Sequence, residues 1–300
     1  MPWIVAVGGF VVSLWVSYQL FPFESGESGS MAFNRLVVTA IGSTIAGIAA
    51  RQIHARRGAR SDTRPRGQSS NPGVESGLPA DWTVALAAVG LSSSEVRDTV
   101  ERAFDPSRGA VFPNREDVFR AFWLTPLSEV RVVILGQDPY PTRGDADGLA
   151  YSTRAGTPPR YSLGRIFDNL EADPRVTFAR PPASGDLSHW AISGVLLLNT
   201  SLTVREGLPG SDVELWTRFT RAVLRAIVGR RQPVVFMLWG DDANRIANSV
   251  DIPSHHKLLR STHPRREQAS AYPRFADTRP FSAANDFLVQ AGRSAVDWRL

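Results

Sequence analysis

Four groups of polar and aromatic side chains follow short apolar runs in the second half of the chain. The groups are Gln137-Asp138-Pro139-Tyr140, Asn199, Trp239-Gly240 and His263-Pro264. A carboxylate with a histidine suits hydrolysis through a sugar cation, because the carboxylate stabilises positive charge while the histidine donates to the departing group. Each of these residues alone is more often a helix cap, a turn former or a loop residue. Their arrival together at one place would therefore be the functional signal.

The apolar runs that precede these groups are predicted to be strands of a parallel sheet. They read VRVVILG, GVLLLN, PVVFMLWG and HHKLLRSTH. Continuous apolarity is typical of strands that are covered on both faces. Capping residues and helical apolar spacing predict helices over residues 92–104, 114–122, 162–170, 211–228 and 282–290. The predicted fold class is α/β, with an open parallel four-stranded sheet flanked by helices on both faces, and its carboxyl edge would collect the four groups.

The composition of the chain restricts the chemistry further. Its 300 residues include no cysteine, which excludes disulfides, thiolate metal sites, iron–sulfur clusters and cysteine nucleophiles. The formal net charge of +5 suggests a polyanionic partner. No phosphate-binding glycine loop follows the first strand, and the adjacent His255 and His256 would point to opposite faces of a strand. We therefore expect neither a metal nor a cofactor.

The motifs GQDPYP, GDLSHWAISGVLLLNTSLTV, WG and HP, the last followed by SAY, resemble those of the family-one uracil-DNA glycosylases. The similarity runs from about Phe112 to the C-terminus. The resemblance implies a monofunctional hydrolase that cleaves the N-glycosidic bond of uracil in DNA and so starts base excision repair. It also implies uracil-containing DNA as the partner, a monomer, and no cofactor.

The resemblance assigns the catalytic roles to Asp138 and His263. Asp138 would orient the attacking water and stabilise the deoxyribosyl cation, and a neutral His263 would donate to uracil O2 as negative charge grows on the leaving base. The uracil-binding residues would be Gln137, Tyr140, Tyr151 and Asn199.

These four residues would select the base in different ways. The backbone around Gln137 would bind a uracil carbonyl, and Tyr140 would clash with the methyl group of thymine. Tyr151 stands where the family has a phenylalanine that stacks on the flipped base. Asn199 would read the uracil edge with its amide, which cytosine cannot satisfy.

The resemblance also predicts how the chain engages DNA. At three places, however, the sequence differs from the motifs of the family. The DNA-binding residues would be Pro158, Pro159, Ser162, Gly240, Arg265, Arg266 and Ser270. Pro141 replaces a family histidine, Asp241 replaces a phosphate-binding serine, and the wedge loop reads HPRREQAS, two residues longer and without its leucine. We expect the chemistry to be retained and DNA engagement to be altered, with Arg265 or Arg266 filling the gap left by a flipped base.

Two other functions remain open from the sequence. One is a catalytically weak DNA-binding or tethering homologue, which Asp241 and the missing leucine motivate. Intact Asp138, Asn199 and His263 argue against it. The other keeps the enzyme and shifts its substrate towards single-stranded DNA, where the wedge matters less.

The chain before the catalytic domain divides into two predicted segments. Residues 1–50 contain two uncharged runs, 3–21 and 36–50, which predict a hydrophobic helical hairpin that associates with a membrane through residues 3–50. Residues 51–80 are rich in Arg, Gly, Ser and Pro and predict a disordered linker, so the catalytic domain would span 81–300. The arginines after the second run would keep that domain on the cytoplasmic face. Two buried helices of a soluble domain, or a true start at Met31, are the alternatives.

Overall fold

The computed structural model describes residues 77–181, 184–266 and 270–300, together with the backbone of Trp3–Val7 and Phe10–Leu14. The chain divides into two compact units, Met1–Ser69 and Ser70–Leu300.

Two short strands are described in the first unit. Strand β1 (Trp3–Val7) pairs antiparallel with β2 (Phe10–Leu14), which differs from the helix predicted over these residues. The rest of the predicted hairpin and the linker to residue 76 lie outside the described residues, so the helical hairpin as a whole stays a prediction. Among the helices of the described residues, none is long and apolar enough to span a membrane.

The second unit contains the predicted four-stranded parallel sheet. Its strands are β3 (Val111–Phe112), β4 (Val132–Gly136), β5 (Val195–Asn199), β6 (Val204–Arg205), β7 (Val235–Trp239) and β8 (Lys257–Ser261). The main sheet has the order β5-β4-β7-β8 with every pair parallel, and β3 pairs with β6 in a separate antiparallel ribbon. All residues of β4, β5 and β7 are buried, so both faces of the sheet are covered, as their continuous apolarity predicted.

Helices of very different length surround this sheet. The α-helices are α1 (Ala80–Ala88), α2 (Ser93–Ala103), α3 (Arg120–Leu124), α4 (Tyr161–Glu171), α5 (Ser188–Ile192), α6 (Val213–Val228), α7 (Asp241–Asn248) and α8 (Pro280–Gln290). Short 3₁₀ helices lie at Pro106–Arg108, Arg115–Asp117, Leu127–Glu129 and Phe275–Asp277. Helix α2 begins with a capping box between Ser92 and Glu95, which was the sequence signal for it.

One predicted helix is wrong in its extent, and three α-helices of the described residues were not predicted. Residues 114–122 form the 3₁₀ turn Arg115–Asp117 followed by α3, because Phe119 leaves the helical conformation at φ −103°. This break buries Phe119 against Phe122 and Phe219. The helices α1, α5 and α7 had no sequence prediction; α5 has only five residues, and α7 reads DDANRIAN and carries few apolar residues.

Candidate active site

The carboxyl ends of the four strands open into one cleft of about 350 Å³, a size typical of small-molecule sites. We call it the base cleft. Its lining includes every residue predicted to contact uracil or DNA except Pro158 and Pro159. The two prolines lie in the loop just before α4. Parallel strands therefore bring together residues that are more than a hundred positions apart in the chain.

Asp138 follows β4 directly and is only partly exposed at the base cleft. Its Oδ2 accepts a hydrogen bond from the backbone N–H of Gly210. Burial raises the pKa of the Asp138 carboxyl above its ordinary value, the Gly210 bond opposes that rise, and the nearby Asp242 adds to it. Gly210 was not predicted from the sequence, since nothing local marks a residue 72 positions away as a partner.

The turn after β4 is attached to the neighbouring strand β5. The backbone carbonyl of Gln137 accepts hydrogen bonds from Thr200 Oγ1 at 2.7 Å and from the Ser201 N–H at 2.9 Å. The Gln137 side chain is exposed, and Pro139 beside it is buried. The turn that carries Asp138 is therefore held beside Asn199.

Asn199 is the last residue of β5, and its side chain reaches the base cleft while being only 5% exposed. Its Oδ1 is buried and has no hydrogen-bond partner. A buried acceptor without a partner is costly, so it indicates a donor that a ligand supplies. The residue beside it is Gly136, where an added Cβ would lie 2.3 Å from this Oδ1. Only glycine allows that approach.

His263 follows β8 and has a defined tautomer. Its Nδ1 accepts a hydrogen bond from the Arg265 N–H at 3.1 Å, so the proton of a neutral ring is on Nε2, which can donate. Burial, Arg266 and Arg265 together lower the pKa of His263 to about 4. Gly240 lies beside it with φ +90°, and an added Cβ would lie 3.0 Å from the His263 Cβ. The imidazole is therefore a neutral hydrogen-bond donor at physiological pH.

Two tyrosines form one wall of the base cleft. The Tyr140 hydroxyl donates to the Tyr151 carbonyl at 3.0 Å, and the Tyr151 hydroxyl donates to the Leu135 carbonyl at 3.4 Å. The Tyr151 ring lies 5.6 Å from Trp239 and 6.2 Å from His263, centroid to centroid. Burial raises the pKa of both phenols, so they stay neutral. Rings fixed in this way offer a flat apolar surface to a planar ligand.

The residues predicted to hold DNA lie at the rim of the base cleft. Ser162 is in the first turn of α4, and Ser270 is exposed with its Oγ accepting from the Tyr272 N–H at 3.3 Å. Asp241 is exposed as the first residue of α7, where the helix dipole favours a carboxylate. Arg265 is exposed, with its guanidinium carbon 5.8 Å from the centre of the Tyr161 ring. Residues 267–269 of the wedge loop lie outside the described residues.

The histidines of the β7–β8 connection have structural contacts. His256 Nδ1 accepts from the Val234 N–H at 3.1 Å, and its Nε2 lies 3.2 Å from the Val228 carbonyl. Within the part of the chain that the structure describes, no three or more acidic or histidine side chains cluster as a metal site would require.

Comparisons with known proteins give the family of this chain. The profile of the Uracil DNA glycosylase superfamily matches residues 122–289. A uracil-DNA glycosylase of Deinococcus deserti is 42% identical over 229 residues, covering 76% of this chain and 90% of the relative. One from Rhizobium meliloti is 49% identical over 194 residues, covering 63% and 77%. The fold is similar to a crystal structure of mimivirus uracil-DNA glycosylase, with a TM-score of 0.64, 23% identity, and coverage of 75% and 88%. The chain belongs to the uracil-DNA glycosylase superfamily.

Proposed function

We propose that this chain hydrolyses the N-glycosidic bond between uracil and deoxyribose in DNA, releasing free uracil and starting base excision repair. The observation that carries the proposal is the content of the base cleft. A carboxylate, an unpaired buried amide oxygen and a neutral imidazole with its proton on Nε2 face one small cavity. These are the groups that such a bond needs in order to break.

Asp138 acts on the sugar. As the bond between C1′ and the base breaks, its electrons leave with the base and positive charge develops on the deoxyribose. The Asp138 carboxylate stabilises that charge and orients the water that adds to C1′. The Gly210 N–H supports this role, because it fixes Oδ2 and favours the ionised form of the carboxyl. Pro141 supplies no side-chain polar group to this loop, which leaves Asp138 to orient the water.

His263 acts on the leaving base. Negative charge grows on uracil O2 as the bond breaks, and a donor placed beforehand stabilises it without reorganisation. The Nδ1 bond from the Arg265 N–H supports donation from Nε2. The lowered pKa of His263 supports a neutral donor.

Base selection follows from Asn199, Tyr140 and Tyr151. Uracil carries a proton on N3, whereas cytosine carries a lone pair there, so the unpaired Asn199 Oδ1 can accept from N3 of uracil and not from N3 of cytosine. The Tyr140 ring, fixed by its bond to the Tyr151 carbonyl, blocks the methyl group of thymine. The Tyr151 ring stacks on the flipped base.

DNA engagement is proposed to rest on the rim residues. Ser162, Ser270 and the backbone at Gly240 bind phosphates, and Pro158 and Pro159 shape the loop before α4. Asp241 weakens phosphate binding at its edge of the cleft. Arg265 and Arg266 supply the positive charge that a leucine wedge lacks.

Release of free uracil from matched single-stranded and duplex uracil-containing oligonucleotides tests the proposal. We expect release from both, with the duplex the poorer substrate because the wedge leucine is missing. Binding of DNA without release from either substrate would leave the non-catalytic homologue instead. Arg266→Ala should lower release from duplex more than from single strands, whereas an equal loss on both would indicate charge attraction alone.

The N-terminal segment is proposed to tether the catalytic domain to the cytoplasmic face of a membrane through residues 3–50. The support is the two uncharged runs and the arginines that follow them. Cells that express the whole chain, or a version beginning at Gly77, can be fractionated side by side. Extraction of the whole chain by high salt without detergent would contradict the tether.

A further inference from the structure

A second cleft of about 590 Å³ adjoins the base cleft, and we call it the flanking cleft. Its own lining includes Arg160 and Tyr161. It continues from the base cleft through the shared residues Tyr140, Pro141, Ser162 and Arg265. The flanking cleft therefore lies directly beside the cavity that is proposed to hold uracil.

Tyr161 dominates this surface. It is the first residue of α4, and although it is aromatic it is 65% exposed. The Arg265 guanidinium carbon lies 5.8 Å from the centre of its ring, within range of a cation–π contact. That contact leaves most of the Tyr161 side chain uncovered, so there is room for a second planar group.

The backbone that presents Tyr161 is held in place by the residue before it. Arg160 donates from Nε to Asp145 Oδ2 at 2.8 Å and from its terminal nitrogen to Asp145 Oδ1. Asp145 is only 4% exposed. A two-point ion pair to a buried carboxylate fixes the start of α4 against the loop that also carries Tyr140. Tyr161 is thus presented by a rigid backbone.

We propose that Tyr161 and Arg265 bind the nucleobase next to uracil in a single-stranded DNA substrate, by stacking it on the Tyr161 ring. This proposal rests on the function proposed above. Exposed aromatic rings beside cationic groups are the usual platform for single-stranded bases, since every base has a π-face. In duplex DNA the neighbouring base is already stacked and paired, so the platform favours single strands. Arg265 is thereby assigned to the flanking base, which leaves Arg266 to fill the gap in a duplex.

The test measures binding to single-stranded oligonucleotides that contain 2′-fluorinated deoxyuridine, which resists hydrolysis because fluorine destabilises the sugar cation. One oligonucleotide has ordinary bases, and two others lack the base on the 5′ or the 3′ side of the uridine. We expect the parent to bind about tenfold more weakly when the base on one side is removed. Tyr161→Ala should bind the ordinary oligonucleotide more weakly than the parent does, by a similar factor. Removal of a neighbouring base should not weaken its binding further. Tyr161→Phe should behave as the parent does.

The controls separate this inference from a general loss of fold or of activity. Val289→Ala, which removes an apolar side chain that is 61% exposed outside both clefts, should bind as the parent does. The proposal would be overturned if base removal weakened DNA binding equally in the parent and in Tyr161→Ala. It would also be overturned if the parent bound equally well after removal of either neighbouring base. Uracil release by the parent from ordinary substrate is measured separately. Its absence would refute the glycosylase activity while the binding result still decides the role of Tyr161.

Discussion

The substitution Gly136→Ala is expected to damage uracil recognition through Asn199 while leaving the fold intact. Gly136 ends β4 and needs no unusual backbone conformation, so alanine is tolerated by the strand itself. The new Cβ, however, would lie 2.3 Å from Asn199 Oδ1 and 3.1 Å from the Ala150 Cβ. The first distance is about 1 Å shorter than an ordinary van der Waals contact, so the amide must move by about that much.

A displacement of about 1 Å in a group that positions the substrate costs on the order of 100-fold in rate. We therefore expect kcat/KM for uracil release to fall by about that factor, which corresponds to ~2.7 kcal/mol of transition-state stabilisation. Steady-state release from a single-stranded oligonucleotide gives the value, and thermal unfolding monitors the fold. The matched control is Gly164→Ala, because an added Cβ there has nothing within 4 Å.

A second substitution separates the two contacts. Ala150→Gly removes the 3.1 Å contact and leaves the 2.3 Å contact with Asn199. Gly136→Ala combined with Ala150→Gly should therefore stay slow. Restored activity in this double variant would show that crowding at Ala150, and not the amide, was responsible. Parent-like activity of Gly136→Ala alone would refute the assignment of Asn199.

Three further predictions concern the chemical step and the base. Asp138→Asn should lower kcat far more than it weakens DNA binding, and near-parent turnover would refute its role. Because burial raises the pKa of Asp138 and its charged form is active, the acid limb of the kcat/KM profile should lie above the ordinary aspartate range and vanish in that variant. His263→Leu should slow uracil release by at least about 100-fold. In the parent, the pKa of His263 is about 4, so its ring should show no titration by NMR between pH 5 and 8. A titration in that range would contradict the role of His263 as a neutral donor. Tyr140→Ala should release thymine and Asn199→Asp cytosine, both slowly, in a free-base assay; a parent that releases thymine would contradict the role of Tyr140.

Local patterns in the sequence determined the framework of the catalytic domain. The continuous apolar runs predicted β4, β5 and β7, because a strand that is buried on both faces has no polar side. The fourth run predicted β8, although that strand carries polar residues and is mostly only partly buried. Capping and helical spacing predicted α2, α4, α6 and α8 to within two residues. The grouping of Asp138, Asn199 and His263 followed from one rule, that parallel strands end at the same edge.

Some helices of the catalytic domain were predicted wrongly or not at all, because local patterns do not report tertiary packing. The break at Phe119 divides a segment whose spacing looked helical, because burying Phe119 against α6 outweighs a continuous helix. Helix α7 has only three apolar residues, Ala243, Ile246 and Ala247, and although their spacing is helical, eight residues give too short a pattern to predict a helix.

The working geometry of the site was decided by the tertiary structure alone. The Gly210 N–H on Asp138 joins residues 72 positions apart, and the guanidinium of Arg265 over Tyr161 joins the wedge loop to the start of α4. The unpaired oxygen of Asn199 depends on how closely Gly136 lets it approach. Residue types and their periodicity are local properties, so they determine which groups reach the sheet edge. Distances, hydrogen-bond partners and pKa values depend on the paths of distant loops, which are fixed only when the core packs.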